Sequence, residues 1–299
     1  MRWEFHTKIL LDARLRGEMT PMKSILVPIE EHSLVQSVLD TALLLGRAFD
    51  SYIEGFAISF NLPMAMPIDI AIGIPSLLDP ATRREVTDAA RQHFEAVMQA
   101  QNIPEASSGA TGLSYGWRQA EMMSDAFLGG YGRAFDITVL GRPGNGTHHP
   151  RLSTAEAALF ESGRPVLIAP PQAPATFGET VVIAWNASTE TARAVGFSLP
   201  LLQRARRVVV LSVEGWEVQG PSGQELARSL KRHGLNVETR TVPNTSGRAG
   251  ETILAAAASL GCDLLIKGAY TQSRLRQMIL GGATSHILAQ STLPVLMAH

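Results

Sequence analysis

Cysteine is nearly missing: Cys262 is the one thiol in 299 residues. A single thiol closes no internal disulfide, which excludes a disulfide-stapled secreted scaffold and fits a reducing, cytoplasmic compartment. Cys262 adjoins an apolar run and reads as an inert core thiol. Long hydrophobic runs are missing too, since no stretch approaches the ~18 apolar residues that a bilayer crossing needs. Residues 1–21 carry Glu4, Lys8, Asp12, Arg14 and Arg16 across any apolar core, so they are not expected to be a signal peptide. Met22 opens MKSILVP, which leaves 1–21 as an N-terminal extension. An excess of one charge is also absent. Lys and Arg number 26 against 27 Asp and Glu, a net charge of −1, and this argues against a nucleic-acid partner. Catalytic signatures are lacking: no G-x4-GK(S/T) loop, no nucleophile elbow and no H-E-x-x-H. His148-His149 have no Asp, Glu or Cys at ligand spacing, so no metal is expected there. His32 reads as a cap or solvent-facing residue, and His286 as a surface or interdomain one.

What is present is alternation. Lys23–Ile29, Ser51–Phe60, Thr111–Trp117, Phe135–Leu140 and Pro165–Ala169 read as strands, with helical patterns from Ser33, over Ala81–Gln101 and over Glu121–Tyr131. The same order recurs. Thr180–Trp185, Arg207–Val213, Val237–Val242, Asp263–Lys267 and Pro294–Met297 are strands, and Ser188–Leu202, Gly223–His233, Arg248–Leu260 and Ala283–Gln290 are helices. Gly141 and Gly268 lie 127 apart, Pro165 and Pro294 lie 129 apart, and Pro28 and Ala184 lie 156 apart. Offsets that nearly agree at one end and widen at the other suggest a duplicated unit with extra residues in the first copy. Asn61–Pro80, apolar and rich in Pro and Met, is the expected insertion. The predicted organisation is an extension (1–21), a first domain (22–171), a Pro-rich linker (172–178) and a second domain (179–299). The predicted fold class is α/β, with two tandem five-stranded parallel sheets flanked by helices.

The C-terminal stretch carries the chemistry. A short apolar strand ends at Gly268, and thirteen residues later Gly281-Gly282 open a helix that leads to a Pro-Val-Leu strand. A glycine loop before a helix N-terminus lets backbone N–H groups approach an anion. The pattern G-x2-T-x9-G-G (Gly268, Thr271, Gly281, Gly282) resembles the nucleotide-binding signature of the universal stress protein family, G-x2-G-x9-G-(S/T). Ile25-Leu26-Val27-Pro28-Ile29-Glu30 is similar to that family's first strand. The resemblance spans about residues 23–299 and implies a fold related to other ATP-handling α/β folds.

It further implies an ATP site in the second domain, with magnesium as companion. Asn186 stands where the family has an adenine-recognising Asp, and its amide oxygen can accept from an adenine amino group. Ala184 and Val213 fall at adenine-lining positions, while Gly268, Thr271, Gly281, Gly282 and Thr284 meet the phosphates. Arg274 and Arg276 could add charge. Should the Thr271 position need φ > 0, a side chain there costs roughly 1–2 kcal/mol. The first copy is expected to be empty, because Thr154 and Ala155 replace the last glycine, Glu156 brings a negative charge and Glu30 replaces the Asp. The implied role is a stress-response or signalling module that binds and changes state without turnover. The expected partners are an adenine nucleotide and an unidentified protein, with no nucleic acid and no membrane. The two halves would form a pseudo-dimer, and the chain could pair as a homodimer. A slow ATP hydrolase and a purely structural interaction module remain as alternatives.

Overall fold

The structure is a computed structural model. It describes residues 22–58, 80–107, 111–119, 124–144, 146, 148–270 and 282–299. The extension, nearly all of the Asn61–Pro80 insertion, and Thr271, Arg274, Arg276 and Gly281 lie outside them. The first half runs β1 (Ser24–Ile29), α1 (Val35–Phe49), β2 (Tyr52–Ala57), α2 (Pro80–Ala100), β3 (Ser114–Trp117), α3 (Asp125–Tyr131), β4 (Ile137–Gly141), α4 (Leu152–Glu161) and β5 (Val166–Ala169). The second half runs β6 (Thr180–Ala184), α5 (Thr189–Arg204), β7 (Arg207–Val213), α6 (Gly223–Arg232), β8 (Val237–Val242), α7 (Ala249–Ser259), β9 (Leu264–Gly268), α8 (Ala283–Gln290) and β10 (Val295–Ala298). None of the described helices is long and apolar enough to cross a membrane.

The strand order is β3-β2-β1-β4-β5 in the first half and β8-β7-β6-β9-β10 in the second. Neighbours within each half are parallel. Ile25 faces Ile137 in the first half and Val181 faces Leu264 in the second, which reproduces the offsets of 156 and 127. The two five-stranded sheets are joined edge to edge. β5 and β10 pair antiparallel, with Leu167 opposite Leu296 and the flanking pairs Val166–Met297 and Ile168–Val295. Parallel strands covered on both faces must be apolar throughout, and Val181, Val182, Ile183 and Ala184 are all fully buried. Alternate side chains therefore enter different cores. Val181 and Ile183 pack with Ala194, Leu201 and Leu230 from α5 and α6. Val182 and Ala184 pack with Ile253, Ile287 and Leu288 from α7 and α8.

Each half changes direction between its first and fourth strands, where α1 or α5 covers one face and α4 or α8 the other. The carboxyl ends of such a pair form the crevice in which open α/β sheets hold ligands. In the second half that crevice lies at the ends of β6 and β9.

Candidate functional site

Two strand starts hold the scaffold of the crevice. Asp263 accepts from the N–H groups of Glu179 (3.1 Å) and Thr180 (2.9 Å), which ties β9 to β6. Asp136 does the same in the first half, accepting from Lys23 N (2.8 Å) and Ser24 N (2.9 Å). Both carboxylates sit at the edge opposite the crevice.

At the crevice end of the second half, Ala184 and Val213 are fully buried on the α7–α8 face. Asn186 is 2% exposed, and its Oδ1 accepts from the Thr191 hydroxyl (2.7 Å) and from Ser188 N (3.3 Å). The amide oxygen expected to face adenine thus holds the first turn of α5 in this structure. Gly268 faces the same turn. A β-carbon there would stand 2.5 Å from Thr191 N and 2.7 Å from Glu190 C, so the glycine is required by helix packing. Its own N–H donates to Thr191 Oγ1 at 3.3 Å. The left-handed backbone at the start of the loop belongs to Tyr270 (φ 54°).

Gly282 is the N-cap of α8, with φ −66° and ψ 165° and no side-chain cap bond. Thr284, in the first turn, is 5% exposed. Its Oγ1 lies 2.8 Å from Lys267 Nζ and accepts from Tyr270 N at 3.3 Å. The hydroxyl expected at a phosphate is turned inward. The residue that turns it, Lys267, reads from the sequence only as the last residue of an apolar strand, with no role of its own. It is 1% exposed, it also bonds to Gly268 O, and burial pushes its pKa down to about 7. The available signal was a lone charge in an apolar run directly before the first loop glycine.

The first half fills the matching position itself. The Glu30 carboxylate accepts from Arg151 N, the N-cap of α4, at 3.1 Å, and from Arg151 Nη2 at 3.2 Å. Arg151 Nη2 also donates to Asp125 Oδ1 (3.1 Å), and Thr154 Oγ1 is within bonding reach of both carboxylates. That hydroxyl has one proton and serves one of them at a time. A tethered anion already occupies the N-terminus of α4, where a phosphate would otherwise gain. Gly141 and Gly144 have packing roles, since added β-carbons would stand 2.4 Å from the Pro150 ring and 2.8 Å from the His149 ring. His32 holds the turn before α1, its Nδ1 accepting from Leu34 N at 3.1 Å; burial, aided by His149, lowers its pKa to about 4.

Three further positions bear on the site. Cys262 is buried, and burial pushes its thiol up to about 12, the behaviour of an inert group. His286, half-buried, packs its Cβ over Gly250 of α7. A separate cleft of about 410 Å³, bounded by Trp185, Ser212, Ser222 and Arg240, opens on the α5–α6 face; sequence reading gave no sign of it. Across the seam, Phe160 of α4 packs against Tyr270 (ring centroids 5.3 Å apart) and His299 (4.6 Å), while Arg142 donates to Ser291 O at 3.1 Å.

Comparison with solved structures shows the same fold. A universal stress protein from Archaeoglobus fulgidus DSM 4304 superposes with a TM-score of 0.68 at 14% identity, covering 93% of this chain and 96% of its own. A putative universal stress protein from Pseudomonas aeruginosa UCBPP-PA14 gives 0.52 at 14% identity, over 95% and 94% of the two chains. A functionally unknown protein from Pseudomonas aeruginosa PAO1 gives 0.52 at 14% identity, over 95% and 93%. No curated protein sequence matches the chain. The model of the universal stress protein family matches residues 179–299. Residues 179–299 thus form a universal stress protein domain, and the chain as a whole shares the fold of the solved universal stress proteins.

Proposed function

We propose that residues 179–299 bind an adenine nucleotide, ATP with magnesium beside its phosphates, at the carboxyl ends of β6 and β9. The protein then acts as a cytoplasmic stress-response module whose output is its bound state, not turnover. One observation carries this reading. The N-terminus of α8 lacks a side-chain cap, and Lys267 lies buried beside it with no ion-pair partner among the described residues. A helix N-terminus without a counter-charge, with a lysine amine beside it, favours an anionic ligand. In the first half Glu30 supplies that counter-charge, which supports a single site per chain.

The seam adds a second element to the proposal. The register of β5 and β10 is self-complementary about Leu167 and Leu296, as at a two-fold interface. We read the chain as a duplicated unit whose halves stand in for a dimer. Phe160 against Tyr270 then brings the start of the nucleotide loop into contact with the other half, a route by which the bound state could reach a protein partner.

The test is direct. Protein purified without added nucleotide should release ATP or ADP on denaturation, and added ATP with magnesium should raise the melting temperature. Gly282→Asp should abolish that rise without lowering the stability of the free protein. The backbone at Gly282 suits an Asp N-cap, whereas a carboxylate there repels phosphate. No thermal shift at millimolar ATP would refute the proposal.

A further inference from the structure

The halves differ at one buried position in the crevice. β4 has Leu140 where β9 has Lys267, by the strand register that aligns Ile137 with Leu264. The lysine shares its face of the sheet with Leu265, Ala184 and Val213, under α7 and α8. Its bonds among the described residues go to Gly268 O and Thr284 Oγ1.

The hydrogen-bond inventory favours one protonation state in the free protein. An ammonium has three donors, and these two acceptors leave one N–H without a partner among the described residues. A neutral amine fits better. Its two N–H groups donate to Gly268 O and to the Thr284 hydroxyl, whose oxygen also accepts from Tyr270 N, and no donor is left over. The positive end of α8, at the same spot, opposes an ammonium further. Burial acts in the same direction.

The other titratable groups offer no compensation. His286 on α8 is half-buried and packs on Gly250. Glu251 on α7 is 3.0 Å from Arg248. His299, after β10, bonds through Nδ1 with Ala269 O at 3.0 Å. Glu190 of α5 packs against Gly268 with its backbone and Cβ. None of them is bonded to the amine among the described residues.

Resting on the nucleotide site proposed above, we infer that Lys267 is a proton-linked specificity residue: a phosphate arriving at the N-terminus of α8 draws a proton from solvent onto the amine and is then held by the resulting ammonium. The site discriminates by ligand charge. A polyphosphate recruits the lysine, and a nucleoside does not. Above neutral pH this uptake opposes binding, weakening affinity by up to about tenfold per pH unit until the bound amine itself titrates.

The experiment titrates ATP with magnesium into the full chain by calorimetry at pH 8, in two buffers of different ionisation enthalpy, and repeats it with Lys267→Met. Methionine keeps the length and removes the charge, and a melting curve checks that the variant folds. Wild type should take up close to one proton per nucleotide, and its Kd should rise about tenfold between pH 7.5 and 8.5. The variant should take up none and keep a flat Kd. Equal proton uptake in both proteins, or none in wild type, overturns the role of Lys267 and leaves the site standing. Absence of binding by both proteins at every pH overturns the site and the inference together.

Discussion

Glu30 and Asn186 occupy the same place after the first strand of each half and do opposite work. Glu30 accepts from Arg151 N at 3.1 Å and so caps α4, whereas Asn186 accepts from the Thr191 hydroxyl at 2.7 Å and so holds α5. The Glu30 side chain is 9% exposed and that of Arg151 20%, so this pair is largely removed from water. Removing Glu30 strips Arg151 of one of its two carboxylate partners and α4 of its cap. Glu30→Ala should cost about 3 kcal/mol in urea denaturation. Asn186→Ala, which loses neutral bonds, should cost about 1 kcal/mol. Equal losses would show that the Glu30 cluster is not the buried pair described.

Asp136 and Asp263 are a second matched pair. Each accepts from two consecutive backbone N–H groups at the start of the neighbouring strand, and Asp136 also bonds the Ser24 hydroxyl at 3.0 Å. Removing either carboxylate strands those donors. Asp136→Ala and Asp263→Ala should each cost about 1–3 kcal/mol. Neither should change nucleotide binding once the protein is folded, because both lie at the end of the sheet away from the crevice. A loss of thermal shift in Asp263→Ala at a temperature where it remains folded would contradict that placement.

The strands themselves were legible because fully apolar runs admit one environment. Lys23–Ile29, Phe135–Leu140 and Thr180–Trp185 read as buried parallel strands, and all are central in the sheet. The joining of the two sheets was legible in principle. Pro165–Ala169 and Pro294–Met297 are as apolar as the central strands, yet each has one neighbour in its own half, so burial demanded a neighbour from the other half. The crevice was less legible, because its bonds join residues far apart in sequence. Thr191 reaches Gly268 across 77 positions and Arg151 reaches Glu30 across 121. A glycine read as a phosphate contact is also a packing glycine, since only the fold brings α5 against it.

That last point makes a prediction of its own. Gly268→Ala places a methyl group 2.5 Å from Thr191 N and 2.8 Å from Glu190 Cβ, and the first of these is backbone. The turn of α5 cannot move without losing the bonds to Asn186 and Ser188. Overpacking of this kind costs about 1–3 kcal/mol. The loss should appear in the free protein by urea or thermal denaturation, with no nucleotide present. Gly196→Ala, on the same helix with open space around it, should be neutral or slightly stabilising. A Gly268→Ala protein as stable as wild type would mean that the α5 contact is looser than the geometry indicates.

Lys267 makes stability depend on pH in a direction that can be worked out. Its folded pKa is lowered to about 7 by burial, while in the unfolded chain it titrates near the ordinary lysine value of about 10.4. Below pH 7 both states hold the proton, and folding carries the whole penalty of burying a charge. Between about 7 and 10.4 the unfolded chain binds one proton more than the folded one, so stability rises with pH by about 1.4 kcal/mol per unit. Above both values the slope vanishes. Lys267→Met removes the group and with it this contribution. The variant should be more stable than wild type at pH 6.5 by several kcal/mol, and the gap should close steadily toward pH 9.5. Urea denaturation of both proteins across that range measures it, and all other titrating groups cancel in the difference. Parallel curves would mean that the amine keeps its ordinary pKa in the folded protein, and so has a counter-charge or solvent beside it.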